Sequence, residues 1–291
     1  MKTHDRSILG DFDETPSSQL PKPALDVGVF DSGLGGLSVL RALTAAMPAA
    51  SFLYVADSAY APYGQRDAAA VEERSLRITE FLVARGVFGV VVACNTATAT
   101  AIDALRTRHP TLPIVGIEPG LRPAVIASRQ NGNSRIGVMA TPATLTSERF
   151  RRLLDAQAQG SFVLKQPCPG LADLIEEGHV NAPSVIGAVQ RFCEPLRRAE
   201  VDTVVLGCTH YPLVSHHIQA ALGEHVRLID TADAVARHAA QRFGVASTPS
   251  TASVRLLTTG NTAHRAALEK VAGLCLPFAV SATQTDLFQA A

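Results

Sequence analysis

No sign of charge is in excess in this 291-residue chain, because 26 Lys and Arg face 26 Asp and Glu. A surface so balanced has no general attraction for polyanions or acidic lipid, which argues against nucleic acid as a partner. Charged residues are also sparse, at 18%. No run approaches the roughly 18 uninterrupted apolar residues of a membrane helix, and the N-terminal stretch lacks a basic start, apolar segment and cleavage site. No membrane association is therefore expected, and the expected compartment is the cytoplasm. The five cysteines, at 94, 168, 193, 208 and 275, never form Cys-x-x-Cys, so neither a disulfide framework nor a zinc ribbon is indicated. His216, His217 and His225 follow His210, but no Cys/His spacing matches a closed tetrahedral site and no metal is expected.

What the chain does have is apolar content, 47%, enough for two domains of about 150 residues or one large α/β unit. Residues 1–24 mix charge, Ser and Pro and read as a mobile tail. From Leu25 onward, strand-like runs at 25–30, 51–56, 87–92, 113–117, 135–139, 161–164, 202–206, 226–229 and 253–257 alternate with helical patterns, notably 67–85 and 183–199. Such alternation means βαβ units and parallel sheets.

A weak repeat underlies it. Val27-Gly28-Val29-Phe30-Asp31-Ser32 returns 109 residues later as Ile136-Gly137-Val138-Met139-Ala140-Thr141, and Ala93-Cys94-Asn95-Thr96 returns 114 residues later as Gly207-Cys208-Thr209-His210. The expected architecture is therefore α/β with two similar lobes, each a mainly parallel sheet flanked by helices, and an active site in the cleft between them. Lobe 1 comprises 25–117 plus 229–280, lobe 2 comprises 118–228, and 281–291 is a C-terminal tail.

In open α/β sheets ligands bind beyond the carboxyl ends of strands, where helix starts offer free N–H groups. Cys94 and Cys208 both stand there. A helix start lowers a thiol's pKa and favours the thiolate, the form that abstracts protons or attacks carbon. One such cysteine alone is more simply a packed core residue; two at equivalent turns point to chemistry. Cys168, Cys193 and Cys275 lack that context and read as structural. Asp31-Ser32-Gly33-Leu34-Gly35-Gly36 is not a dinucleotide fingerprint, since its third glycine position holds Ser38 and Asp31 would repel a pyrophosphate. Asp31 can serve a substrate ammonium or a thiol, or simply cap the next helix. Asp57, Ser58 and Tyr63-Gly64 lie in a loop that either covers a ligand or forms an ordinary turn. His210 points away from Cys208 along a strand but approaches the same pocket in a helical turn.

Two thiols on opposite sides of a substrate can remove a proton from one face of a carbon and return one to the other, inverting it. No signature of pyridoxal phosphate, the usual electron sink for such chemistry, is apparent. Together, Val29 to Gly36, Asp57 to Gly64, Ala93-Cys94-Asn95-Thr96-Ala97, Gly116-Ile117-Glu118-Pro119 and Gly207-Cys208-Thr209-His210-Tyr211-Pro212-Leu213 resemble the bacterial glutamate racemases of the aspartate/glutamate racemase family, over about residues 25–260. The resemblance implies a cofactor-independent isomerase that interconverts L- and D-glutamate for peptidoglycan synthesis, cell-wall biogenesis and cell shape, and it implies a homodimer. By the same resemblance Cys94 acts on the D-enantiomer and Cys208 on the L-enantiomer, assisted by Asp31 and His210 respectively. Asp31, Ser32, Tyr63, Gly64, Asn95, Thr96, Thr209 and His210 would bind glutamate. Glu176 resembles a second-lobe acid of the family, with Glu177 beside it as the alternative, and Ser58 stands where many relatives have threonine. Competing readings are an aspartate racemase, a decarboxylase (which needs one thiol only), thiol hydrolysis by Cys94 with His210 and Asp31, and a non-catalytic amino-acid-binding module.

Overall fold

Short Val-rich strands covered on both faces by helices build two parallel sheets in the computed structural model, which describes residues 26–130, 132, 134–158, 160–245 and 252–287. The tail expected at 1–24 lies outside the described residues, as does Leu25. In chain order the first lobe runs β1 (Asp26–Asp31), α1 (Leu37–Ala46), β2 (Ser51–Ala56), α2 (Ala68–Ala84), β3 (Gly89–Val92), α3 (Asn95–Arg108) and β4 (Ile114–Gly116). The second runs α4 (Leu121–Gln130), β5 (Arg135–Ala140), α5 (Pro142–Thr146), α6 (Glu148–Gln157), β6 (Phe162–Pro167), α7 (Leu171–Glu176), α8 (Pro183–Arg198), β7 (Thr203–Leu206), α9 (Ser215–Leu222) and β8 (Arg227–Ile229). The chain then returns to the first lobe as α10 (Ala232–Phe243), β9 (Ser253–Thr258), α11 (Thr262–Cys275) and β10 (Ala282–Gln284).

The first sheet has the order β10-β9-β2-β1-β3-β4 and the second β6-β5-β7-β8, so the core order 2-1-3-4 occurs twice. The likeness extends to packing. Gly28 pairs with Val90, and a Cβ there would meet Leu82 and Val87; Gly137 pairs with Val204, and a Cβ there would meet Leu196 and Val201. Leu82 and Val87 correspond to Leu196 and Val201 at the same 114-residue spacing as Cys94 and Cys208. In both lobes the central strand gives up a side chain so that the helix leading into the neighbouring strand, α2 before β3 and α8 before β7, can lie close against the sheet.

Central strands are buried on both faces, as parallel sheets require: β3 and β7 are buried throughout. One apolar cluster joins α1 and the adjoining face of the first sheet to α8, α9 and β7 of the second lobe. The outer face of the first sheet packs on α2 and α3, and that of the second on α4 and α6. The C-terminal segment expected as a tail instead contributes β10, which pairs in parallel with β9 through Ala282 and Leu256. Its three residues Ala-Thr-Gln, two of them exposed, carry no apolar alternation that could have announced a strand.

Candidate active site

The strand β1 ends at Asp31, and the glycine-rich turn that follows must bend sharply to start α1. Asp31 Oδ2 accepts the Gly36 N–H at 2.8 Å and the Gly33 N–H at 3.4 Å, while its Oδ1 accepts the Thr209 hydroxyl of the other lobe at 3.4 Å. It therefore both ties the turn and faces the second lobe. Complete burial raises its pKa to about 6, against the pull of the His210 charge and with the Glu176 charge adding to the rise.

Cys94 ends the β3 segment and caps α3. Its sulfur accepts the Ala97 N–H at 3.4 Å, and its thiol lies 3.8 Å from the Ser32 hydroxyl. The helix start was expected to lower this thiol's pKa. Burial, followed by the negative charge of Asp31, instead holds it well above the ordinary thiol value, and the Ala97 and Ser32 contacts offset only part of that rise. At neutral pH Cys94 is a thiol. Next to it Asn95 has both amide atoms buried without a hydrogen-bond partner among the described residues, as a group awaiting a polar ligand would. Thr96 reaches the other lobe, its hydroxyl 3.1 Å from that of Thr141 and 3.4 Å from that of Thr144.

On the second lobe, β7 leads through Gly207 to Cys208, and a 3₁₀ turn follows at Tyr211–Val214. The turn brings His210 Nδ1 to 3.6 Å from the Cys208 sulfur, which decides the question the sequence left open. The opposite ring nitrogen, Nε2, contacts Glu176 Oε1, which also accepts the Leu34 N–H at 2.8 Å. Glu177 is exposed, so Glu176 is the acid that faces the cleft. Burial alone would lower the His210 pKa; its hydrogen bonds to Cys208 and Glu176 and their negative charges outweigh burial and keep it well above the usual histidine value.

Tyr63 and Gly64 sit in a 3₁₀ turn on the first lobe. The Tyr63 hydroxyl donates to Asp57 at 2.6 Å, and Asp57 also accepts from Arg74 at 2.9 and 2.7 Å and from Thr259 at 2.8 Å. With four donors from its own lobe, the Asp57 carboxylate anchors the loop that carries Tyr63. A Cβ on Gly64 would lie 2.7 Å from Thr141, and Gln65 Nε2 reaches both Asp173 oxygens at 2.9 and 2.8 Å. The two lobes thus close on each other around the site. Asp31, Ser32, Cys94, Asn95, Thr96, Cys208, Thr209 and His210 are each 6% exposed or less, and a cavity of about 520 Å³ opens outside Glu176 beside Ala61, Pro62 and Asp173. Among the described residues no three His, Cys, Asp or Glu side chains cluster to hold a metal ion. Sequence reasoning missed Arg74, Thr141 and Tyr211; Thr141 carried a signal as the repeat counterpart of Ser32 and Tyr211 by its place in the second cysteine motif, whereas Arg74 carried none.

The two cysteines thus stand at matching strand ends of two matching lobes, with acids and a histidine near them. Residues 35–239 match the family model described as Asp/Glu/hydantoin racemase. The chain belongs to that family. It is 48% identical over 220 residues to a glutamate racemase of Ralstonia pickettii, covering 76% of this chain and 77% of that one. Among solved structures, it is similar to the Escherichia coli glutamate racemase in complex with L-glutamate and the activator UDP-MurNAc-ala, with a TM-score of 0.78 at 28% identity, covering 90% of this chain and 98% of that one. It is similar also to the Thermus thermophilus glutamate racemase in complex with β-chloro-D-alanine, with a TM-score of 0.73 at 31% identity, covering 91% and 98%. The two-lobe α/β fold read from the sequence is the fold of these racemases.

Proposed function

We propose that this racemase-family chain is a glutamate racemase that works without a cofactor, by proton transfer at Cα between two cysteines. The observation that carries the reading is the placement of Cys94 and Cys208 at equivalent strand ends of the two lobes, each beside its own polar assistant. With L-glutamate between them, Cys208 as thiolate takes the α-proton and the Cys94 thiol supplies one to the opposite face; with D-glutamate the roles reverse. Burial of Cys94 keeps it protonated and ready to donate. His210, bridged between Cys208 and Glu176, stabilises a negative sulfur and carries a proton next to it. Asp31 provides a negative charge near Cys94 and near the substrate ammonium. Asn95, Ser32, Thr96 and Thr209 supply amide and hydroxyl groups for the carboxylates, and Tyr63-Gly64 closes over them. Exclusion of water strengthens each of these contacts on the carbanion.

Because the site residues are almost fully buried, glutamate enters when the lobes part. The product would feed peptidoglycan synthesis in the cytoplasm. The five cysteines are free thiols, and among the described residues no helix is long and apolar enough to cross a membrane.

Incubation of each glutamate enantiomer in deuterated water tests the reading by optical rotation and Cα labelling together. Loss of rotation with deuterium at Cα is expected from both enantiomers after dialysis against chelator. Absence of labelling would favour a binding module, and activity restored only by added zinc would remove the two-thiol mechanism. Efficiency with aspartate equal to that with glutamate would reassign the substrate.

A further inference from the structure

The two thiols are not flanked alike, and the difference singles out Tyr211. In the first lobe the residue three after the cysteine is Ala97, whose N–H donates to the Cys94 sulfur. In the second lobe the residue three after the cysteine is Tyr211, whose N–H donates at 3.1 Å to the Cys208 carbonyl oxygen instead. The 3₁₀ turn at Tyr211–Val214 diverts the amide that a regular helix start would have aimed at the sulfur. The Tyr211 side chain is fully buried, and among the described residues its hydroxyl makes no hydrogen bond of regular geometry. The groups it faces are the sulfurs of Cys208 and Cys168, each within reach of a weak O–H···S contact. A buried phenol left with neutral sulfurs as its acceptors is poorly satisfied, and natural structures seldom keep such a group unless another state satisfies it better.

We infer that Tyr211 is a positioning residue for the reaction, its phenol O–H donating to Cys208 when that sulfur becomes a thiolate. Resting on the two-cysteine reading, the inference adds a donor on the Cys208 side that takes the place of the missing backbone N–H. A neutral thiol accepts hydrogen bonds weakly, whereas a thiolate accepts strongly, so the contact favours the charged form selectively. Tyr211 thereby stabilises the state in which the second lobe is ready to take a proton from L-glutamate.

The test uses Tyr211→Phe, which keeps the ring and removes only the hydroxyl, with each enantiomer of β-chloroalanine as probe. On this substrate one base suffices: the thiolate takes the α-proton, the C–H electrons form the Cα–Cβ double bond, chloride leaves, and the aminoacrylate hydrolyses to pyruvate and ammonium. Pyruvate release should fall about tenfold from the L-enantiomer, the loss expected for one hydrogen bond to a charged group, with little change from the D-enantiomer. Alkylation of Cys208, followed by peptide mass analysis, should shift to higher pH in the variant while that of Cys94 stays. The melting temperature should hold or rise, because a poorly satisfied buried hydroxyl is gone. Equal losses from both enantiomers with a lowered melting temperature would mean a packing role and overturn the inference, as would unchanged elimination. An unsubstituted enzyme that eliminates chloride from neither enantiomer would instead overturn the two-thiol reading beneath it.

Discussion

The Gly33→Ala substitution probes how the first lobe's turn controls the second lobe's acid. A Cβ on Gly33 would lie 1.9 Å from Glu176 Oε1 and 2.4 Å from its Cδ. Ordinary contact begins at 3.4 Å, so the carboxylate must retreat by about 1.5 Å. Gly33 does not occupy the left-handed region, so alanine is acceptable to the backbone and the side-chain clash is the whole perturbation. Retreat breaks two contacts at once, the Leu34 N–H bond at 2.8 Å and the bridge to His210. Hydrogen bonds to a charged group are each worth about 1.5–3 kcal/mol. Glu176 is only partly buried and can swing toward the neighbouring cavity, so the lower end applies and the pair amounts to about 3 kcal/mol, or roughly a hundredfold in kcat/KM. The assay follows glutamate racemisation by circular dichroism for Gly33→Ala, Glu176→Ala and the double variant, with melting temperatures alongside. If alanine acts only by displacing Glu176, the double variant loses no more than the worse single one. Losses that multiply would refute the reasoning, because Gly33 would then act through something other than Glu176.

Arg74→Met should destabilise the protein by about 3–5 kcal/mol, seen as a lowered denaturation midpoint, because it strands the fully buried Asp57 carboxylate without its cation. The pKa of Asp31 is raised from 3.8 to about 6, so the folded state holds a proton that the unfolded state releases over that interval. Asp31 therefore lends stability that is fully present below pH 3.8 and is lost as pH rises through about 6, a change of about 3 kcal/mol. Urea titrations of wild type and Asp31→Asn should show the variant gaining relative stability across that window; parallel curves would count against it. Cys94→Ser and Cys208→Ser should each abolish racemisation while remaining folded. Each should retain chloride elimination from one enantiomer of β-chloroalanine, Cys208→Ser from D and Cys94→Ser from L; full racemisation by either variant would end the two-base scheme.

The parts of this site legible in the sequence were those fixed by local chain geometry. Val-rich strands followed by a small residue and Cys-Asn-Thr or Cys-Thr-His mark strand ends without any tertiary information, and the repeated spacing made the pair conspicuous. Side-chain direction was not legible. Whether His210 faced Cys208 depended on a 3₁₀ turn rather than a strand, and the choice between Glu176 and Glu177 depended on which side of α7 meets the glycine-rich turn. Asp57 read as a loop carboxylate because its partners Arg74 and Thr259 lie 17 and 202 residues away. The lowered pKa expected for Cys94 failed because a helix start is a small influence beside full burial with Asp31 close by.

The unequal surroundings of the two sulfurs have a thermodynamic consequence if the chain racemises glutamate. Enantiomers have the same free energy in water, so the equilibrium constant is one and kcat/KM must be identical in the two directions at every pH. A backbone amide beside Cys94 and an imidazole beside Cys208 therefore cannot make the enzyme favour either product. Their difference is confined to how tightly each enantiomer is held, and any gain in turnover number for one hand is matched by a proportionate rise in its KM.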